Sequence, residues 1–321
     1  MLKIATPYLE LLRIDHWIKN IFILPGIIIA LVVNSRSLTI NFSIFILIIF
    51  GVFLVCLASS ANYLINEWLD RETDIYNSEK EKRSSIRNRL KPKIIYLLYL
   101  LISFTVSVLS LYIINLSFFI IIQIFLLIGL IYNVKPLRLK DIAFLDVIVE
   151  SSNNPIRLYL GWVIVAPEQI PPFSLLLAFW LGGCFLMNSK RLQEYICALK
   201  ENTLNKLIKY RISFKSYSYN KLLFANMFYA ITSYGLLTIF LAKWRIEYIF
   251  ILPFIAILFS YYFVMCINLN SVVRNPEKLY KNWKFHILLL IIGVSFLVLS
   301  FYDVVFIQYF FNDTVLYQLS N

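Results

Sequence analysis

Apolar residues run along this chain in long unbroken blocks rather than at alternate positions. Nine blocks stand out, at roughly 20–34, 42–65, 94–114, 117–134, 145–166, 172–189, 220–242, 247–267 and 285–309. Each is near the ~20 residues a helix needs to cross hydrocarbon. Continuous runs do not suit barrel strands, whose two faces alternate. The pattern predicts an all-α integral membrane protein with nine transmembrane helices, although Pro25 blurs the ends of the first block.

Polar residues punctuate the blocks unevenly. Of the 30 Lys and Arg, 26 fall in the N-terminal stretch and in alternate connections or at their edges. Only Arg36, Arg157, Lys243 and Arg245 lie elsewhere. The positive-inside rule then puts the N-terminus in the cytoplasm and the C-terminus outside, with the polar loops on the cytoplasmic face of the cytoplasmic membrane. This distribution accounts for the formal charge of +12 without a nucleic-acid partner. The 60% hydrophobic content exceeds the about 45–50% of a soluble domain, as a lipid environment requires. Cys56, Cys184, Cys197 and Cys266 show no paired spacing and read as buried thiols. His16 and His286 are too few for a histidine-based metal site. The N-terminal segment carries acids and has no cleavage pattern, so no signal peptide is expected. Residues 1–321 read as one domain.

The unusual polar residues cluster at the cytoplasmic ends of the blocks. In "NEWLDRETDIYNSEKEKR", Asn66, Asp70 and Asp74 fall at i, i+4 and i+8, one stripe of a helix. Such oxygens at the edge of hydrocarbon suit Mg²⁺, which takes one or two carboxylates plus phosphates and water. A solvated charged helix end is the plainer alternative. Lys80, Lys82 and Arg83 follow within reach of phosphate oxygens, and Asn62 either lines the same cavity or bonds a neighbouring helix. In "RIDHWIKN", Arg13 and Lys19 are site residues or, with Trp17, interfacial anchors. In "YNVKPLRLKDIAFLDVIVESSNNPIRLYLGW", Lys135, Arg138 and Lys140 could grip an anion or serve topology alone. Deeper in that segment, Asp146, Glu150, Asn154 and Arg157 share one face, as a polar cavity or as a self-neutralising structural pair. In "MNSKRLQEY", Lys190 and Glu194 are spaced for an i,i+4 pair, Arg191 points elsewhere, and the two cations suit a phosphorylated ligand. "KYRISFKSYSYNK" reads mainly as interfacial, with Arg211 a weak candidate. Together these groups describe a diphosphate ionising beside a lipid, its charge met by Mg²⁺ and by Lys and Arg.

These residues bear a family resemblance. "NEWLDRETD" resembles the NDxxDxxxD signature of the UbiA superfamily of intramembrane prenyltransferases, with Glu67 where Asp is usual. "YNVKPLRLK" is similar to that family's YSxPPLRLK-like segment, and the correspondence runs from about Arg13 to Arg211. Within the superfamily, "RIDHWIKN", Lys80 and Arg83, and "SKRLQE" at Lys190, Arg191 and Glu194 resemble the decaprenyl-phosphate phosphoribosyltransferase branch. The resemblance implies a nine-helix UbiA-type bundle with Mg²⁺ at Asn66, Asp70 and Asp74. It also implies transfer of 5-phosphoribose from phosphoribosyl diphosphate to a polyprenyl phosphate, for a lipid-linked donor in cell-envelope glycan synthesis. Asp146 or Glu150 would orient the ribose or the acceptor. Two departures matter: "MNSKRLQEY" has no second DxxxD motif, and "ESSNNPIRLYLGW" is not a hallmark of that branch. One alternative is transfer of a prenyl group from a prenyl diphosphate to an aromatic or isoprenoid acceptor. Another is transport of an anionic lipid, against which stand the one-sided polar residues and the lack of an internal repeat.

Overall fold

The computed structural model describes residues 7–35, 42–77, 79–81, 83–269, 273 and 282–304. Among these the regular structure is helical throughout. After a 3₁₀ run over Ile14–Phe22 come α1 (Ile23–Val33), α2 (Phe42–Asp74), α3 (Pro92–Leu109), α4 (Leu116–Asn133), α5 (Leu145–Ser151) and α6 (Asn153–Val165). They are followed by α7 (Phe173–Lys200), α8 (Leu204–Tyr210), α9 (Tyr219–Trp244), α10 (Leu252–Ile267) and α11 (Trp283–Phe301). Eight helical stretches are long and apolar enough to cross a membrane: Pro7–Val33, Phe42–Asp74, Pro92–Ile114, Leu116–Asn133, Phe173–Lys200, Tyr219–Trp244, Ile246–Ile267 and Trp283–Phe301. The chain is an integral membrane protein. Large apolar side chains such as Phe104, Phe224, Ile231 and Leu290 stay exposed because their solvent is lipid.

The fifth predicted block departs from the expectation of one continuous helix. It breaks at Ser152, between α5 and α6. Pro155 has no N–H to give the carbonyl one turn earlier, and local side chains compete for the same backbone. Ser152 Oγ donates to the Val149 carbonyl at 2.7 Å, and Asn153 Nδ2 donates to the Glu150 carbonyl at 2.9 Å. The last predicted block is described only as far as residue 304.

Helices α1 and α6 approach backbone to backbone. A Cβ at Gly26 would lie 1.9 Å from the Leu158 carbonyl oxygen, and one at Gly161 would lie 2.2 Å from that of Ile23. Only glycine permits this contact, the small-residue packing that membrane helices use in place of a hydrophobic drive. Helix α9 packs along α7, and α2 packs on α3 and α4. The apolar core runs through α1, α2, α4 and α6, around Leu54, Phe125, Leu158 and Trp162. A second core lies among α7, α9, α10 and the loop before α9, around Phe185, Phe214 and Tyr262. Between the cores, the polar ends of α2, α5 and α7 meet the loops that follow α4 and α8.

Candidate active site

Three helical turns at the end of α2 supply the acids. The loop after α4 folds back on them, with Arg138 at φ 32° and Phe144 at φ 66°, both at positive φ. Arg138 donates to Asp70 at 3.0 Å and to Asp141 at 3.0 Å, and the Lys140 ammonium binds both Asp70 and, at 2.8 Å, Asn133 Oδ1. Asn66 Nδ2 donates to that same Asn133 oxygen at 2.7 Å, so one amide ties the stripe to the lysine. Asp74 lies between Lys80, at 3.1 Å, and Arg83. Both carboxylates face a narrow cleft roofed by Tyr210, Arg211 and Ile212, and Lys80 sits 4.6 Å from the centre of the Tyr210 ring. Burial pulls the Lys140 ammonium down to about 8 although Asp70 opposes the shift.

A second network lies between α5, α7 and the loop before α9. The Asp146 carboxylate is fully buried and accepts from Arg191 Nε at 3.0 Å, Ser213 Oγ at 3.1 Å, Arg211 at 3.4 Å and the Tyr217 hydroxyl. Burial and then the Asp146 charge push the Tyr217 phenol well up, so it keeps its proton and donates. With four donors around it, the Asp146 carboxylate pins the 211–217 loop that roofs the cleft, an arrangement that suits positioning. Glu150 is different. Its side chain is 36% exposed and it accepts from the Tyr132 hydroxyl at 2.6 Å.

Two expected pairings are corrected. Arg191 does not point away from the network. It holds Glu194 at 2.9 Å, three residues on, and also reaches Asp146 and Glu150, so three carboxylates share one guanidinium. Lys190 forms no ion pair among the described residues. Arg157 does not neutralise Glu150; its Nε donates instead to Asn20 Oδ1 at 2.8 Å.

Several other candidates divide clearly. Arg13 reaches Glu67 of α2 at 3.4 Å, and Lys19, 3.1 Å from His16 Nδ1, stands 6.0 Å from the centre of the Tyr63 ring on the same helix. Trp17 donates to Ser60 Oγ at 2.9 Å, an interior contact rather than an interfacial anchor. Asn62 bonds the Phe125 carbonyl of α4 at 3.1 Å. Lys135 is exposed and makes none of the site contacts found among the described residues. Lys82 lies outside them. Tyr132, Asn133, Tyr210, Ser213 and Tyr217 join the site unforeseen, and Arg211 moves from its margin to its roof. No sequence spacing signalled them, because tertiary folding brings them together.

Residues 22–288 match the family model described as the UbiA prenyltransferase family, and the chain belongs to that family. Among solved structures, a UbiA homolog from Archaeoglobus fulgidus bound to GPP and Mg²⁺ superposes with a TM-score of 0.64 at 20% identity, covering 92% of this chain and 99% of that one. The same homolog bound to DMAPP and Mg²⁺ gives 0.64 at 19% identity, again covering 92% and 99%. A digeranylgeranylglyceryl phosphate synthase studied in membranes gives 0.63 at 20% identity, covering 94% and 99%. At these identities the structural likeness establishes the fold. No curated protein sequence matches the chain.

Proposed function

We propose that the protein is a Mg²⁺-dependent membrane transferase that moves 5-phosphoribose from phosphoribosyl diphosphate to a polyprenyl phosphate. The product would be a lipid-linked sugar donor for cell-envelope glycan assembly. In this reading the chain is one domain with nine crossings in the cytoplasmic membrane, the broken α5–α6 pair counting as one. The N-terminus and the site face the cytoplasm, and the C-terminus lies outside. The observation that carries the proposal is one cleft in which Asp70 and Asp74 are each matched by two cations.

The donor set fits the metal. Among the described residues no three His, Cys, Asp or Glu side chains converge. Two carboxylates and the Asn66 amide, completed by diphosphate oxygens and water, are instead what Mg²⁺ prefers. The fold relatives bound to Mg²⁺ with GPP or DMAPP support the same assignment. When bound, the ion would neutralise charge on a leaving diphosphate.

The remaining chemistry belongs to the side chains. Around the cleft, Lys80, Arg83, Arg138, Lys140 and Arg211 outnumber Asp70, Asp74 and Asp141, so its wall is net positive and suits a polyanion. Diphosphate arrival exchanges partners, the cations passing from carboxylates to phosphate oxygens. An oxygen of the acceptor phosphate attacks the anomeric carbon. The bond from that carbon to the diphosphate breaks, and its electron pair leaves with the diphosphate, so no protein nucleophile is needed. Lys190, Arg13 and Lys19 hold the acceptor phosphate, Arg191 acts through its field, and Glu150 orients the ribose. A 540 Å³ apolar groove, lined by Phe144, Ile148, Trp180, Phe224 and Phe228, accommodates hydrocarbon chain. Lys190 and Arg191 stand on α7, well before its end at Lys200, at the place where a second acidic pair would serve a prenyl diphosphate, which favours the sugar donor.

The second reading, prenyl transfer to an aromatic or isoprenoid acceptor, draws support from the prenyl diphosphates in the related structures. It uses the same acidic stripe. Turnover by Asp70→Asn and Asp74→Asn tests the site under either donor. Loss of about 10²-fold or more is expected if each removes a group that stabilises the leaving charge, and full activity in both would end the assignment.

A further inference from the structure

The apolar groove between α5, α7 and α9 carries one charge. Its walls include Phe144 and Ile148 from the α5 segment, Trp180 of α7, and Phe224 and Phe228 of α9, and they enclose 540 Å³. Lys221, in the first turn of α9, is the one charged residue among the described lining. Its side chain is exposed and forms no ion pair among the described residues; it donates to the Ser216 carbonyl across a long 3.5 Å. Lys221, Phe224 and Phe228 fall at i, i+3 and i+7, so the cation and the two rings form one stripe of α9. From Lys221 to Phe228 the stripe runs about 10 Å along the helix axis. Phe224 is 75% exposed and Phe228 52%, which leaves the groove open sideways to lipid. The positive end of the α9 dipole adds to the charge at the Lys221 end.

The groove is separate from the cleft. Among the described residues the two share no lining residue. Asp146 and Glu150 stand two residues either side of Ile148, each about 160° around α5 from it, so the polar network and the groove take opposite faces of that helix. Lys190, Arg13 and Lys19, proposed to hold the acceptor phosphate, are not among the groove's lining either. Hydrocarbon in the groove therefore belongs to a second lipid, whose headgroup meets Lys221. We infer that the groove is a binding site for an anionic phospholipid, its phosphate on Lys221 and one acyl chain between α5, α7 and α9. A lysine at the edge of hydrocarbon draws anionic headgroups over zwitterionic ones, because a choline would return positive charge to the site. In the proposed orientation this lipid lies in the cytoplasmic leaflet. The inference goes beyond the transferase reading and holds for either diphosphate donor.

The test reads tryptophan fluorescence of the full-length protein in detergent, titrated with phosphatidylglycerol or phosphatidylcholine brominated on an acyl chain. Bromine quenches an indole only at close approach, and Trp180 lines the groove. The quenching that Trp180→Phe removes is the signal from the groove. In the wild type that signal should saturate at about 5-fold less phosphatidylglycerol than phosphatidylcholine, the scale of one lysine beside an anionic headgroup. Lys221→Gln should erase the preference while both lipids still quench. Ala225 also lines the groove, and Ala225→Phe should fill it and remove the Trp180 signal for both lipids. Lys221→Gln alone decides the matter if Ala225→Phe does not fold. A Trp180 signal that is absent in the wild type, equal for the two lipids, unchanged in preference by Lys221→Gln or retained in folded Ala225→Phe overturns the inference. So does unlabelled polyprenyl phosphate that displaces the brominated phosphatidylglycerol at lower concentration than unlabelled phosphatidylglycerol does, which would give the groove to the acceptor. No turnover enters the measurement, so its failure leaves the transferase reading standing.

Discussion

Asp146→Asn separates positioning from catalysis. The wild-type carboxylate is wholly enclosed and receives two guanidinium groups, one hydroxyl and one phenol. An amide of the same size keeps the volume but removes the charge and turns an N–H₂ toward existing donors. Removing one partner of a buried ion pair costs about 3–5 kcal/mol. Arg191 keeps Glu194 and Glu150, so the lower end of that range applies here, about 3 kcal/mol. The loosened 211–217 loop also carries Arg211 away from the cleft. Thermal unfolding in detergent, followed by tryptophan fluorescence, should show a fall of several degrees. Turnover should drop through weaker diphosphate affinity, with KM for the diphosphate donor rising more than kcat falls. Asp70→Asn also breaks a buried ion pair and should lose melting temperature too, but its activity loss should fall on kcat rather than on KM for the diphosphate donor. An Asp146→Asn protein with wild-type stability but no kcat would refute the positioning argument and return the residue to the chemistry.

Other perturbations follow from the same contacts. Lys190→Met should leave the melting temperature unchanged, because the residue forms no ion pair among the described residues, and should raise KM for the lipid phosphate several-fold in steady-state assays. Gly26→Ala should destabilise the bundle by about 1–3 kcal/mol, read as faster thermal inactivation, because its Cβ would meet the Leu158 carbonyl. Chelation with EDTA should abolish transfer and added Mg²⁺ should restore it, whereas Ca²⁺, which favours a larger oxygen shell, should restore it poorly.

Much of this architecture was legible in the sequence, for definable reasons. Hydrocarbon thickness sets the length of each apolar block, so eight of the nine expected blocks appear as helical stretches long enough to cross a membrane, while the fifth is broken in two. The Asn66–Asp70–Asp74 stripe was legible because helical periodicity alone puts the three residues on one face. Pairing was not. Arg191 is three residues from Glu194 and Lys190 is four, and spacing cannot decide which cation takes the acid. The 209–221 segment has the basic, tyrosine-rich composition of an interfacial loop. What draws Arg211 and Tyr217 inward is the buried Asp146, a contact across 65 to 71 residues of chain. The break at Ser152 depends on Pro155 together with two side chains bonding back to α5, which turns an expected kink into two helices.

The central claim is that the acidic stripe and its cations serve transfer from a diphosphate to a lipid. The most direct measurement incubates purified protein in detergent with a polyprenyl phosphate and Mg²⁺, adding either phosphoribosyl diphosphate or geranylgeranyl diphosphate with aromatic acceptors. Lipid products are read by mass spectrometry. The account predicts a polyprenyl phosphate heavier by one phosphoribosyl unit, formed only with Mg²⁺ and absent in Asp70→Asn. A prenylated acceptor with phosphoribosyl diphosphate untouched would contradict the donor assignment, and no transfer from either diphosphate would contradict the claim itself.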